Sequence, residues 1–414
     1  MNRMKRILFL LVASAMVILS SCDAQKKELN AINSELKRKN VLVAKERIDA
    51  AVEGELAANP KAWITKANVY MDLFLAEDPE VKNSHQDPLG VANESLMKAK
   101  ELDLTNQHFL SIQQNELMLT QMLHEAGALA FNEGRFPIAS NYFRSSYDVS
   151  KRFGSIDTLT LFYAAYSAER GMMYQEAKQY LNELIDINYR EVNVYTSLIN
   201  VSAALEEHDE AKRWIKEAKG DDPASVDIAI IFSAANYYLK TGDTEGAESA
   251  INEAIEREPN NSNLYFALGA NYERIYGDNT HSAKDREEAF QKAIDAYKKS
   301  LEIDPEQFQV VYSIGALYFN RGIATFEKAQ QVLRDCEAAK DWHCNEYNIK
   351  EKEFKQMWLA GQPFLEEAKE LLDYNDPNFK VVINSLTELY ARTSQNDKLM
   401  EMIELKKRLG FDLN

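Results

Sequence analysis

Residues 228–261 read IAIIFSAANYYLKTGDTEGAESAINEAIEREPNN, and the order of small and large side chains in this stretch decides the fold. Two stretches with helical composition flank the turn residues Gly242 and Asp243. Small residues recur where two packed helices would touch, large apolar residues lie between them, and a proline closes the unit: Ala235, Tyr238, Gly242, Ala247, Ile251, Ala254 and Pro259. The stretch predicts one pair of antiparallel helices within 34 residues.

The same layout recurs along the chain at a fixed interval. Gly269 follows Ala235 by 34 residues, and Ala211 follows Ala177 by the same 34. Gly315 follows Gly269 by 46 residues, one interval plus an insertion of 12. A constant period of this length is the mark of stacked helical repeats, and a generic helical bundle would not show it.

This layout resembles the tetratricopeptide repeat (TPR) family from about Lys61 to Leu409. The resemblance implies an all-α, TPR-type α-solenoid, a superhelix of antiparallel helix pairs, over residues 40–414. The composition agrees, because 15 glycines and 9 prolines are few for 414 residues. The repeat phase indicates three insertions, near residues 77–90, 276–289 and 325–357. Residues 379–414 are expected to form a degenerate cap, since a solenoid needs a polar end.

The amino terminus has the layout of an export signal. A basic segment that includes Lys5 and Arg6 precedes an apolar run over residues 7–19, which is too short to span a bilayer comfortably. The run ends in Leu19-Ser20-Ser21-Cys22, which resembles the bacterial lipobox. The resemblance implies that residues 1–21 are a lipoprotein signal peptide and that Cys22 is lipidated by acyl chains such as palmitate.

A polar segment over residues 22–39 is expected to tether the repeats to the lipidated cysteine. Several acyl chains on one residue hold a protein on a membrane almost permanently. The resulting expectation is a lipid-anchored protein of the bacterial cell envelope. An outer-membrane location facing the periplasm is favoured, and the inner membrane and the cell surface are the alternatives.

In the TPR family, the first helix of each pair exposes part of its surface on the concave side. The resemblance therefore implies a protein-binding groove whose residues follow from the repeat phase: Asn68, Phe131, Phe162, Tyr166, Asn200, Phe232, Asn236, Phe266, Tyr312 and Phe319. Aromatic rings are favoured contact residues, and an asparagine amide can donate to and accept from a peptide backbone. The alternatives are packing between repeats for each ring and plain solvation for each asparagine. The groove lacks the several Lys and Arg residues that capture of a C-terminal carboxylate requires.

Catalytic, cofactor and metal patterns are missing from the sequence. The six histidines form no His-Glu-x-x-His pattern, and phosphate-binding and nucleophile-elbow motifs do not occur. No enzyme activity, cofactor or metal is therefore expected. The formal net charge of −17 and the lack of a basic patch also argue against nucleic-acid binding.

Two cysteines remain after the signal segment. Cys336 and Cys344 would lie about 12 Å apart on a continuous helix, which is too far for a disulfide. A turn near Asp341-Trp342 would allow them to pair in an exported protein. The sequence allows both a disulfide and two free thiols.

The sequence thus predicts a membrane-anchored TPR scaffold that binds a protein or peptide partner in its groove, in envelope assembly or secretion. The alternative is a glycan-binding nutrient-uptake lipoprotein with TPR units, in which aromatic rings would stack on sugars. The insertions predicted here are short or helical, whereas long irregular insertions build the sugar site in that family.

Overall fold

The computed structural model describes residues 23–222, 225–340 and 343–411. The predicted signal peptide over 1–21 and the lipidation site Cys22 lie outside these residues. All regular elements in the described ranges are helices, which confirms the all-α prediction. None of these helices is both long and apolar enough to cross a membrane. The chain divides into two compact units, Met1–Glu210 and Ala211–Asn414.

The first unit contains the helices from α1 to α10 in chain order. They are α1 (residues 23–37), α2 (Val41–Glu53), α3 (Pro60–Phe74), α4 (Pro79–Lys82), α5 (Pro88–Leu102), α6 (Phe109–Asn132), α7 (Phe136–Arg152), α8 (Thr158–Arg170), α9 (Tyr174–Asp186) and α10 (Val192–Ala204). The unit boundary falls inside α11 (His208–Lys219).

The second unit continues with eight further helices among the described residues. They are α12 (Ile228–Thr241), α13 (Thr244–Arg257), α14 (Ser262–Gly277), α15 (Ala283–Ile303), α16 (Phe308–Ala338), α17 (Asn345–Glu370), α18 (Pro377–Arg392) and α19 (Asn396–Leu409). Several of them begin where the sequence supplies a cap. Asp376 Oδ1 accepts a hydrogen bond from the backbone N–H of Asn378, and Pro377 occupies the first helical position.

Neighbouring helices pack in the pairs that the repeat phase predicts. The pairs are α6 with α7, α8 with α9, α12 with α13, α14 with α15, and α16 with α17. Second helices also pack on the first helix of the following pair, as α7 does on α8, α13 on α14 and α15 on α16. Short connections between helices that pack along their lengths make the partners antiparallel.

Glycines at two helix contacts are required by close approach. A Cβ atom on Gly269 of α14 would lie 2.5 Å from the ring of Tyr297 on α15. A Cβ atom on Gly322 of α16 would overlap the indole of Trp358 on α17. Trp358 is fully buried, and its Nε1–H donates to the backbone oxygen of Phe319 at 3.1 Å. The small residue on one helix therefore lets a large ring on its partner reach the backbone.

The segment predicted as a tether is helical over its described residues. Leu29 and Ile32 of α1 are buried in the same core cluster as Ile48 of α2 and Tyr70 of α3. Arg47 of α2 donates to the carboxylate of Glu28 at 2.8 Å and 3.0 Å. The polar composition of residues 23–37 belongs to the outer face of an amphipathic helix, since apolar residues spaced by three share one helix face.

The predicted insertions contain helix and turn. The short helix α4 lies within residues 77–90, and Asp78 caps it by accepting from the N–H of Glu80. Residues 278–282 connect α14 to a second helix of 21 residues. The largest insertion lengthens both members of one pair, because α16 has 31 residues and α17 has 26. Helices of 14 residues form the pair α12 and α13.

Candidate functional site

In the first unit, three first helices place the predicted groove residues near one another. Phe131 is on α6, Phe162 and Tyr166 are on α8, and Asn200 is on α10. Helix α8 begins at the cap residue Asp157, whose Oδ1 accepts from the N–H of Thr160 at 3.0 Å. Residues four and seven positions apart share a helix face, so Phe162, Tyr166 and Glu169 line one side of α8.

Aromatic rings form the apolar part of this site. The ring of Tyr166 lies 5.8 Å from that of Phe131 and 6.0 Å from that of Phe162, centroid to centroid. Phe136, at the start of α7, contacts the other side of Phe131 at 5.3 Å. Phe162 is only 8% exposed, whereas Phe131 and Tyr166 are half-buried. Phe162 therefore packs inside the protein, whereas Phe131 and Tyr166 each expose part of the ring to a partner.

A carboxylate and an amide form the polar part. Asn200 Nδ2 donates a hydrogen bond of 3.3 Å to Glu169 Oε1. The second oxygen, Oε2, is buried and accepts no hydrogen bond from a described residue. Burial raises the pKa of the Glu169 carboxyl, and hydrogen bonding from Ser197 and Asn200 and the charge of Arg170 offset only part of that effect. We call Phe131, Phe162, Tyr166, Glu169 and Asn200 the ring–carboxylate surface.

A second group of rings lies on helices α6, α7 and α8. His124 of α6 contacts the rings of Phe143 and Tyr163, with centroids 5.3 Å and 6.2 Å away. Its Nδ1 lies 3.0 Å from Thr160 Oγ1, whose proton is donated to Asp157 Oδ2 at 2.8 Å. His124 Nδ1–H is therefore the donor to Thr160. This bond fixes the imidazole as a structural link between α6 and α8.

In the second unit, the predicted groove residues are spread over three first helices. Phe232 is half-buried and Asn236 is exposed on α12. Phe266 of α14 lies 5.8 Å from the ring of Tyr297, whose hydroxyl donates to Glu273 Oε2 at 2.7 Å. Burial and the charge of Glu273 raise the pKa of Tyr297. On α16, Tyr312 stacks on Phe308 at 5.8 Å.

Two predicted groove residues lie in the core. Phe162 is buried as described above, and Phe319 is 6% exposed because the lengthened α17 covers it with Trp358, centroids 6.3 Å apart. These two rings serve helix packing, the alternative that the sequence left open for each ring. Asn68 is half-buried on α3. Sequence reasoning did not select Phe136 or Tyr163, because both lie outside the repeat positions that face the groove.

The two remaining cysteines are joined in the structure. Cys336 near the end of α16 and Cys344 before α17 form a disulfide with Cα atoms 5.9 Å apart. The connection between the two helices brings them together, as the turn alternative requires. In the described ranges, no group of three or more His, Cys, Asp or Glu side chains is arranged to hold a metal ion.

Comparisons with known proteins identify the repeats. Residues 200–319 match the family TPR-S, described as Tetratricopeptide Repeats-Sensor. The chain is 28% identical over 110 residues to interferon-induced protein with tetratricopeptide repeats 2 of Cricetulus griseus. That alignment covers 25% of this chain and 23% of the relative, so the chain spans about a quarter of the relative's length.

Solved structures with similar folds are also TPR proteins. The structure of MamA is 16% identical, with 45% of this chain and 93% of that chain covered and a TM-score of 0.36. YrrB, titled a TPR protein with an unusual peptide-binding site, is 15% identical over 46% of this chain and 89% of its own, with a TM-score of 0.35.

The 34-residue phase, the helix pairs packed through small residues and the family match over 200–319 lead to one assignment. This chain has an all-α, TPR-type fold, and its residues 200–319 match a tetratricopeptide repeat family.

Proposed function

We propose that this protein is a membrane-anchored scaffold that binds a protein or peptide partner on the first helices of its repeats. TPR repeats form scaffolds suited to protein–protein interaction. The observation that carries the proposal is the ring–carboxylate surface, where half-buried rings lie beside an amide and a carboxylate with unused hydrogen-bonding capacity. Interfaces favour rings for apolar contact and polar groups that fix the orientation of the partner.

An extended peptide suits this arrangement. The rings of Phe131 and Tyr166 can cover apolar side chains, and the amide of Asn200 can pair with a peptide backbone. Asn236 has the equivalent repeat position in the second unit and is exposed. Both asparagines are available to a partner, which is why they are chosen for the test.

The anchor is a separate part of the proposal. The complete lipobox before Cys22 supports cleavage at that residue and its acylation. The first described residue, Asp23, already belongs to helix α1, which packs on α2 and α3. Acyl chains on Cys22 would therefore hold the first repeats close to the membrane. We place the protein in the bacterial envelope, with the periplasmic face of the outer membrane favoured and a role in assembly or secretion.

A pull-down from envelope membranes tests the binding function. We expect a protein partner in stoichiometric amount on the wild type and its loss on the Asn200→Ala, Asn236→Ala double variant. Gln179→Ala with Asn252→Ala is the matched control, because both residues are exposed on second helices, α9 and α13. Loss of the partner from the control as well, or a ligand found only on a glycan array, overturns the proposal.

A further inference from the structure

Glu169 is a half-buried carboxylate on helix α8, and it forms no ion pair with a described residue. No described Lys or Arg forms a salt bridge with it, and Asn200 Nδ2 donates to its Oε1 at 3.3 Å. The adjacent Arg170 points elsewhere, with its guanidinium 5.3 Å from the ring centroid of Phe136. A buried carboxylate without a charged partner is unfavourable, so its presence calls for a reason.

Glu183 of α9 shows what a structurally satisfied carboxylate looks like in the same unit. Arg144 and Lys151 reach its two oxygens at 2.6 Å and 2.7 Å, and Tyr147 donates to it at 3.1 Å. Hydrogen bonds and charges from Lys151 and Arg144 outweigh burial and lower the pKa of Glu183. At Glu169, burial outweighs the hydrogen bonds and raises the pKa of the carboxyl. No described Lys or Arg forms an ion pair with it that would lower this pKa.

The rings beside Glu169 complete a site for a long cationic side chain. Tyr166 lies three residues before Glu169 on α8, which places their Cβ atoms about 5–6 Å apart. The methylene stem of Lys or Arg covers apolar ring surface well, while its charged head seeks a carboxylate. Cations are also attracted to the faces of aromatic rings. Phe131 and Tyr166 would hold the stem, and the half-buried carboxylate of Glu169 would accept from the head.

We infer that the partner presents a lysine or arginine side chain to Glu169 across the rings of Phe131 and Tyr166. The inference rests on the proposed function and specifies which type of side chain the partner must present. The chain's net charge of −17 favours approach of a basic segment over long range. Asn200 then has a double role, since it orients the carboxylate through Nδ2 and has an oxygen left for the partner's backbone.

Selection from a displayed random peptide library tests the inference. Purified full-length protein and its Glu169→Gln variant are used as targets in parallel. We expect wild-type binders to carry Lys or Arg at one aligned position and Glu169→Gln binders to lose that preference. Glu176→Gln is the matched control, because Glu176 is an exposed glutamate on the second helix α9. Selection on this variant should retain the preference.

A double-mutant cycle then measures the contact. A synthetic binder and its Lys→norleucine form are titrated against wild type and Glu169→Gln. We expect norleucine to weaken binding to the wild type about tenfold or more and to have little effect on the variant. Circular dichroism and thermal melting check that the isosteric variant is folded.

The outcomes separate the inference from the proposed function. If the binders depend on Asn200 and Tyr166 but show no coupling to Glu169, the inference fails and the groove function stands. If the binders are indifferent to Asn200→Ala and Tyr166→Ala, or if no binder is selected, both fail.

Discussion

Nδ2 of Asn200 donates to Oε1 of Glu169 across 3.3 Å, and this bond links the first helices of two successive repeats in the first unit. The other oxygen of the same carboxylate is buried and accepts no hydrogen bond from the part of the chain that the structure describes. Repeats are normally joined by packing of apolar and small residues. Here the hydrogen bond between Asn200 and Glu169 joins two repeats, and the Glu169 carboxylate can accept a further donor. The pair can therefore serve both the structure and the recognition of a partner.

Glu169→Gln should stabilise the empty protein at neutral pH. The folded-state pKa of Glu169 is raised, so the ionised group opposes folding above that pKa, and the cost disappears as pH falls through it. The neutral amide of Gln removes this cost, so we expect the free energy of unfolding to rise by about 1 kcal/mol, a common gain for substitutions at functional sites. Melting temperatures from pH 7 down to pH 4 measure this. An advantage that does not shrink at low pH contradicts the explanation.

Glu183→Gln should have the opposite effect. The folded-state pKa of Glu183 is lowered, so its ion pairs stabilise the fold above the unfolded-state pKa, and this contribution is lost as pH falls through the folded-state pKa. We expect destabilisation of about 1–3 kcal/mol at neutral pH, because the half-buried Arg144 loses one of its two charged partners and keeps only Asp148. The difference in stability between the variant and the wild type should disappear at low pH. Thermal melts recorded in parallel with those of Glu169→Gln supply the measurement. A change in melting temperature of the same sign in both variants would refute the comparison.

Gly269→Ala should destabilise the second unit. Its Cβ would be 2.5 Å from the ring of Tyr297, and the buried ring has no room to retreat. We expect a loss of about 1–3 kcal/mol in unfolding free energy, the usual range for overpacking. Gly277→Ala is the control, because a Cβ there meets nothing within 4 Å. Urea denaturation compares them, and a similar loss in both would rule out the packing explanation.

Reduction of the Cys336–Cys344 disulfide should loosen the end of the α16–α17 pair. The bridge joins residues eight positions apart, and a loop of that length is worth about 2–3 kcal/mol in chain entropy. Hydrogen exchange should rise near residues 332–348 after reduction and remain unchanged in α12 and α13. The Cys336→Ser, Cys344→Ser variant should reproduce the pattern without reductant. A uniform rise across the unit would show that the bridge supports more than the local turn.

Cys22→Ser should release the protein from membranes. The lipobox predicts that acyl chains on Cys22 are the attachment, and serine offers no sulfur for them. Metabolic labelling with palmitate should mark the wild type alone, and fractionation should move the variant out of the membrane pellet. Ser21→Ala retains a small residue before the cysteine and serves as the control. Labelled palmitate on Cys22→Ser would place the lipid elsewhere.

The repeat architecture could be predicted from the sequence because it depends on local periodicity. Ala235, Gly269 and Gly315 share a phase since each must let a neighbouring helix approach. The role of residues 23–37 could not be predicted from composition, because few apolar residues mark the packed face of α1: Leu29, Ile32 and the partly buried Leu36. Pairing of the cysteines depended on a turn that the spacing alone leaves open.

The candidate site was less predictable than the fold. The repeat phase assigns Phe162 and Phe319 to the groove together with rings that are half-buried, and only the surrounding helices decide that these two are buried. For Phe319 the cause is Trp358 of α17, which directly follows the largest insertion and packs against α16. The state of Glu169 likewise depends on the absence of a nearby cation, which no single helix pattern reveals.

The Glu169 carboxylate, with one oxygen that accepts no hydrogen bond from a described residue, affects how fast the protein would be degraded in the cell. A ligand that binds only the native state stabilises it by mass action, and filling Glu169 would remove a cost that the empty protein carries. Empty molecules would then open more often and be degraded faster by proteases, since proteolysis follows the population of open forms. The amount of scaffold would therefore follow the supply of its partner, with no dedicated regulator needed to match them.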